Sequence, residues 1–96
     1  MKILALEREQ PGLTAANFQP HLIAEARRVW ELQQADVIRE IHFRADRPEA
    51  VLTLECESVA AAEEVLASLP LVQAGLIDFE LIPLKPYPGL QRLFES

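Results

Sequence analysis

A carboxylate in the first long apolar segment is the residue best placed for chemistry in this sequence. At 100° per residue, Glu25 falls in the same arc as the apolar residues of segment 20–34, which are Leu22, Ile23, Ala26, Val29, Trp30 and Leu32. A carboxylate partly removed from water has a raised pKa, as a general acid or base near neutral pH requires. The alternative is that Glu25 lies at the rim of the arc, where it reaches water or pairs with Arg28 or Arg39. We predict Glu25 as the catalytic residue.

Two further polar residues, Arg39 and His42, stand on a segment predicted to be extended over residues 37–43. In a regular strand, positions of odd and even number point to opposite faces, so only one of the two can line a pocket. Arg39 shares its parity with Val37, Ile41 and Phe43, and it would suit an anionic ligand or form an ion pair with a protein carboxylate. His42 is predicted as a second catalytic residue that moves protons, and its alternative is a surface or interface histidine.

Three aromatic residues are predicted to bind substrate together with Arg39. Trp30 shares the helical arc of Glu25, and Phe43 and Phe79 lie on predicted strands, so the three could supply an apolar wall for a small molecule. The alternative for Trp30 is an ordinary place in the core.

The other reactive residue types do not form a recognisable site. His21 and His42 lack the spacing of a metal-binding pair, although Glu55 and Glu57 could supply oxygen ligands. Cys56 stands between two acids that disfavour its thiolate, so we expect a packed strand residue. We predict no metal and no cofactor.

The elements that must position these residues follow the order βαββαβ. Strands are predicted over 2–8, 37–43, 51–55 and 77–84, and helices over 20–34 and 59–69, the second with Ser58 as N-cap and Pro70 as its end. The order predicts a ferredoxin-like α+β sandwich, with a four-stranded antiparallel sheet and two helices on one face. With 96 residues the chain is expected to form one domain over 1–96, of which 85–96 is a C-terminal arm.

One sheet face and the arm are predicted to need a partner. Both faces of segment 51–55 are apolar, with Leu52 and Leu54 on one face and Val51 and Thr53 on the other. The arm carries more large apolar groups than a solvated tail needs, namely Tyr87, Leu90, Leu93 and Phe94. We expect a second copy of the chain to cover the bare face, in a homodimer or larger ring. The arm would then pack on the partner or over a pocket mouth, or else fold back onto its own subunit.

Composition argues against several other partners. A net charge of −6, with nine scattered Lys and Arg residues, argues against nucleic acid. No apolar run approaches the roughly 20 residues needed to span a bilayer, and the first residues do not resemble a signal peptide. A single cysteine is compatible with a reducing compartment, so we predict a cytoplasmic protein that meets no membrane.

The second half of the chain resembles the muconolactone isomerase family. The resemblance rests on LECESVAAAEEVLASLPL followed by IDFELIPLKPYPGL, and it extends more faintly back through Arg39 to Glu25. It implies a dimeric α+β barrel and cofactor-free proton transfer on a lactone or a related unsaturated acid, with the family's helix carboxylate at Glu25. The lysine that the family implies near this carboxylate is absent, and Leu22 and Ile23 stand there instead.

Two functions therefore follow from the sequence. The first is a cofactor-independent isomerase, or a related proton-transfer enzyme, acting on a small organic acid or lactone. The alternative is a non-catalytic ligand-binding or assembly module. A pocket between the first helix and the sheet, bordered by Glu25, would favour the enzyme.

Overall fold

The computed structural model describes residues 1–95, and its framework is one antiparallel sheet. The strands are β1 (Lys2–Glu9), β2 (Ile38–Phe43), β3 (Ala50–Glu55) and β4 (Ile77–Pro83). Their order across the sheet is β2-β3-β1-β4, and all neighbouring pairs are antiparallel. This is the order of the ferredoxin-like βαββαβ sandwich, so the predicted fold class is confirmed.

Four helices accompany the sheet in the described chain. They are α1 (Ala15–Phe18), α2 (Leu22–Gln34), α3 (Val59–Ala67) and α4 (Pro70–Gln73), with 3₁₀ turns at Gln19–His21 and Gly89–Phe94. The prediction that Pro70 simply ends a helix was incomplete. Pro70 also starts α4, because a residue without an N–H fits the first position of a helix.

Local signals explain where α2 and α3 begin or end. Ser58 is the N-cap of α3, as predicted, and its Oγ accepts a hydrogen bond from the Ala61 N–H at 3.1 Å. At the end of α2, Asp36 takes a left-handed conformation with φ 61°, and the Val37 N–H bonds the Leu32 carbonyl at 3.0 Å. This reversal turns the chain sharply from α2 into β2.

The core lies between one face of the sheet and the two longer helices. Its buried residues include Ile3, Ala5, Leu52 and Leu54 from the sheet, Leu32 from α2, and Ala62 and Leu66 from α3. The opposite sheet face carries half-buried apolar residues, among them Leu4, Leu6, Val51 and Ile82. One expectation about α2 was wrong, because Ile23 and Trp30 are 79% and 59% exposed rather than turned toward the sheet.

The C-terminal arm extends away from the body of the molecule. Tyr87, Leu90, Leu93 and Phe94 are all exposed. The radius of gyration is 15.9 Å, whereas a compact chain of this length would have about 12.5 Å. The arm therefore does not fold back onto its own subunit, which was one of the two alternatives.

Candidate active site between α2 and the sheet

Two adjoining cavities open on the sheet face that the helices cover, the first between α2 and the sheet and the second beside α1. Their volumes are about 310 and 340 Å³, which lies within the usual size of a small-molecule site. They share Glu7, Leu22, Phe43 and Leu71 as lining residues. The first cavity is lined by ten apolar residues and two carboxylates, Glu7 and Glu25. This composition suits a ligand that is mostly apolar and carries a reactive polar group.

The cavity exists because the inward positions of two strands change at one end of the sheet. Along β1 the inward residues are Ile3, Ala5 and then Glu7. Along β3 they are Leu54, Leu52 and then the small Ala50. A carboxylate and a methyl group thus replace the large aliphatic side chains that would otherwise fill the space beneath α2.

Glu25 reaches this cavity from the first turns of α2. Its Oε1 accepts a hydrogen bond from the Leu71 N–H at 2.9 Å, and this N–H belongs to the first turn of α4. Burial raises the pKa of Glu25 above its ordinary value, whereas the Leu71 hydrogen bond and nearby His21 oppose the shift. A carboxylate with a raised pKa in an apolar cavity can exchange protons near neutral pH.

The two ion pairs predicted as alternatives for Glu25, with Arg28 and with Arg39, are not what the structure contains, although the Glu25 side chain is only half-buried. Arg28 donates instead to Ser68 at 2.9 Å and to Glu31 at 3.2 Å. Arg39 donates from Nε to the Asp36 carbonyl at 2.7 Å. Glu25 is therefore bonded to backbone and free of these two arginines.

A second carboxylate, Glu7, lies in the same cavity and was missed from the sequence. Its Oε1 accepts a hydrogen bond from the Ala50 N–H at 3.2 Å, just beyond the last β1–β3 pair. Burial is the main cause that raises its pKa from 4.5 to about 7, and repulsion from Glu9, Glu49 and Glu25 adds to it. The signal was present in the sequence, because Glu7 shares the parity of Ile3 and Ala5 in the strand predicted over 2–8.

Acidic groups also dominate the rim of the site. Glu9 lines the second cavity, and its N–H bonds Glu49 Oε2 at 3.0 Å. Glu49 is also paired with Arg47 through an Nε–Oε1 distance of 2.5 Å. Within residues 1–95, no Lys, Arg or His side chain lines either cavity. The electrostatic character of the pocket is therefore acidic.

The structure brings together only part of the predicted site. Phe43 and Phe79 line the first cavity together with Glu25, and Phe43 stands at the rim, 66% exposed. Trp30 lies on the exposed surface of α2, outside the cavity lining. The predicted set of six residues is thus divided between the pocket and the surface.

A bulge in β2 explains the positions of Arg39 and His42. The pairing with β3 passes from Ile38↔Leu54 to Glu40↔Thr53, so Arg39 is an extra residue and the parity of the strand changes there. His42 then pairs with Val51 on the open sheet face. Neither side chain lines the cavities found among residues 1–95. The parity argument had assumed a regular strand.

Residues 1–95 contain neither a candidate metal cluster nor a helix that could span a membrane. No group of three or more His, Cys, Asp and Glu side chains in 1–95 is placed to hold a metal ion. No helix in that range is long and apolar enough to cross a membrane.

Comparison with known proteins identifies the fold through solved structures. No protein-family model and no curated protein matches the chain in sequence. The crystal structure of muconolactone isomerase superimposes with a TM-score of 0.75 and 21% identity, covering 92% of each chain. The 5-chloro-2-hydroxyhydroquinone dehydrochlorinase of Burkholderia phenoliruptrix AC1100, solved with 2,5-dihydroxybenzoquinone, gives 0.71 and 17%, covering 93% of this chain and 98% of that one. This chain has the muconolactone isomerase-like fold that its sequence predicted.

Proposed function

We propose that this protein is a cofactor-independent proton-transfer enzyme of isomerase type, acting on a lactone or a related small unsaturated compound. The observation that carries the proposal is the Glu25 carboxylate in an apolar cavity, held by the Leu71 N–H and with a raised pKa. The likeness to two solved enzymes that act on small ring compounds supports it.

The proposed step needs only a base and a conjugated carbonyl. The ligand has a C=C bond conjugated to its carbonyl group, and Glu25 removes a proton from the saturated carbon attached to the far end of that bond. The C–H electron pair then moves through the double bond onto the carbonyl oxygen. The resulting dienolate takes the proton back from Glu25 at a different carbon. One C–H bond breaks and one forms, so no oxidant, reductant or cofactor is consumed. Phe43 and Phe79 hold the ring against the sheet.

The remaining predicted site residues require a different setting. Trp30, Arg39 and His42 can contribute to ligand binding or proton transfer only in a pocket completed by another molecule, such as a second copy of the chain. We propose these roles for Trp30, Arg39 and His42 in such an assembled pocket.

Deuterium exchange tests the role of Glu25 directly. Muconolactone, a butenolide with a carboxymethyl group, and its uncharged methyl ester serve as probes in D₂O, and proton NMR follows exchange and isomerisation. Glu25→Gln keeps the shape of the side chain but removes the base, so we expect exchange to slow by at least about 100-fold. Glu31→Gln is the matched control on α2, since Glu31 lies in an exposed ion pair with Arg28. Equal rates in wild type and Glu25→Gln, or wild-type exchange no faster than buffer for both probes, would contradict the proposal.

We further propose that the protein works as a homodimer or larger ring in the cytoplasm. The open sheet face carries Leu4, Leu6, Val51 and Ile82, which remain half-buried in one chain, and the arm exposes large apolar groups. A second copy would bury both surfaces. Light scattering at micromolar concentration tests this proposal, and a monomeric mass would refute it. Leu6→Glu is expected to weaken the assembly, whereas the matched change Glu80→Gln on the same face is not.

A non-catalytic assembly module is the alternative function. It predicts that neither the wild type nor Glu25→Gln exchanges the probes faster than buffer does, while Leu6→Glu abolishes assembly. The Glu25-lined cavity favours the enzyme.

A further inference from the structure

We propose, on the basis of the proposed function, that the pocket selects an uncharged ligand and that Glu7 is a second catalytic residue, which donates a hydrogen bond from its carboxylic acid to the ligand's carbonyl oxygen. The ligand class is then a neutral lactone or enone rather than a free organic acid. This narrows the substrate of the proposed enzyme and assigns a role to the carboxylate that the sequence did not reveal.

The ionisable side chains that line the pocket are all acidic. The ionisable residues among those that line the two cavities are Glu7, Glu9 and Glu25, and Glu49 stands beside them. An anionic ligand would lose its water and face carboxylates without a cation to compensate, which is the most costly way to bury a charge. A neutral ring with a carbonyl group carries no such penalty.

Three other carboxylates lie around Glu7. Glu9 follows it on β1, Glu49 approaches from the segment before β3, and Glu25 approaches from α2. Two basic residues stand near this cluster: Arg47 is already bonded to Glu49, and His21, near Glu25, lines neither cavity. Repulsion from three acids therefore favours the neutral carboxylic acid at Glu7.

Glu7 itself is held through one of its two carboxyl oxygens. Oε1 accepts from the Ala50 N–H at 3.2 Å, and no side chain or backbone group of residues 1–95 bonds Oε2. A carboxylic acid held through one oxygen keeps an O–H on the other that a ligand can use. Because Glu7 and Glu25 line the same cavity, one carboxyl can act as base while the other acts as hydrogen-bond donor.

The division of roles accounts for the charge that develops in the reaction. When Glu25 removes the carbon proton, negative charge moves onto the carbonyl oxygen of the ligand. The O–H of Glu7 donates to that oxygen and stabilises it, which is the part that an oxyanion hole plays elsewhere. When Glu25 returns its proton to carbon, Glu7 still holds its own, so the enzyme ends as it began.

Binding experiments test the inference separately from catalysis. Muconolactone and its methyl ester differ only in the negative charge, and isothermal titration calorimetry of the full chain compares their affinities between pH 6 and 9. We expect the ester to bind at least tenfold more tightly at pH 7, and its affinity to fall as the pH rises through the pKa of Glu7. In Glu7→Gln the amide donates at every pH, so the ester affinity should become independent of pH. Glu80→Gln, on the open sheet face, is the control and should behave as wild type.

A second variant and the exchange assay separate the possible failures. Glu7→Leu removes the donor as well as the charge, so the ester should bind at least tenfold more weakly than to Glu7→Gln. Tighter binding of the acid, binding of neither probe, or a Glu7→Gln profile identical to wild type would overturn the inference. Those binding results do not affect the Glu25 exchange test. Fast exchange in Glu25→Gln, in contrast, would refute the proposed function without changing the measured preference for the ester.

Discussion

The two ends of the helix-covered sheet face follow the same alternation but differ in chemistry. At one end, Ile3 and Leu54 are fully buried and belong to the core. At the other end, the inward positions are occupied by Glu7 and Ala50, and a cavity replaces the core. Helices lie over both ends, and the inward side chains of β1 and β3 change from large aliphatic groups to a carboxylate and a methyl group.

The difference also has an energetic side. The end with Ile3 and Leu54, the closed end, stabilises the domain through apolar burial. The end with Glu7 and Ala50, the pocket end, holds a carboxylate where burial favours its uncharged form. We therefore expect substitutions at the closed end to change mainly stability, and substitutions at the pocket end to change mainly binding.

The largest predicted effect separates the two ends directly. Leu54→Ala should lower the free energy of unfolding by about 2–5 kcal/mol, because it leaves a cavity in the packed core. Ala50→Leu should instead fill the existing cavity and lower stability by only about 1 kcal/mol, while weakening binding of the lactone ester at least tenfold. Urea denaturation and calorimetric titration measure the two effects. If Leu54→Ala were harmless, or if Ala50→Leu bound the ester normally, the two ends would not differ as described.

The next effect concerns the carboxylate at the pocket end. The folded pKa of Glu7 is about 7 and its ordinary value is 4.5, so the folded state holds this proton more tightly than the unfolded state does. The contribution to stability is complete below pH 4.5 and is lost as the pH rises to about 7 and above. We expect a loss of roughly 1–2 kcal/mol, a value reduced because the Glu7 side chain is only partly buried.

Urea denaturation at pH 5, 6, 7 and 8 measures this loss. Glu7→Gln should flatten the dependence, leaving only the smaller part due to Glu25, whose pKa is also raised. Glu80→Gln, outside the pocket, should keep the wild-type slope. An unchanged slope in Glu7→Gln would show that Glu7 does not titrate in this range.

A smaller effect is expected at the start of α3, which covers the closed end. Ser58→Ala removes the side-chain oxygen that accepts the Ala61 N–H, and should cost about 1 kcal/mol. The melting temperature should fall, while binding at the pocket end stays unchanged. Ser68→Ala is a comparison near the end of the same helix, where the hydroxyl bonds the Val65 carbonyl and Arg28 instead of a free N–H. Altered ligand affinity in Ser58→Ala would link the two ends.

The fold was more predictable from the sequence than the site was. Strand alternation and the Ser58 cap are local signals, so the order βαββαβ and the position of Glu25 in the helical arc could be inferred. The bulge at Arg39 could not be inferred, because an extra residue in a strand leaves no mark in the apolar periodicity. After such a residue, the assignment of odd and even positions to the two sheet faces is reversed. Glu7 was missed for another reason: the alternation of the strand predicted over 2–8 puts it on the face of Ile3 and Ala5, but alternation alone does not show that this face carries a cavity at one end.

The smallest effect concerns the turn that delivers the chain from α2 to the bulged strand. Asp36 holds φ 61°, a conformation that costs energy for any residue with a Cβ, and its carbonyl accepts the Arg39 side chain at 2.7 Å. Asp36→Gly removes the strain but keeps the carbonyl, and should stabilise the domain by about 0.5 kcal/mol. Asp36→Ala keeps the Cβ and loses the polar side chain that tolerates this conformation, so it should destabilise. Thermal denaturation ranks the three chains, and a glycine variant less stable than the wild type would show that the Asp36 side chain contributes more to this turn than the release of backbone strain does.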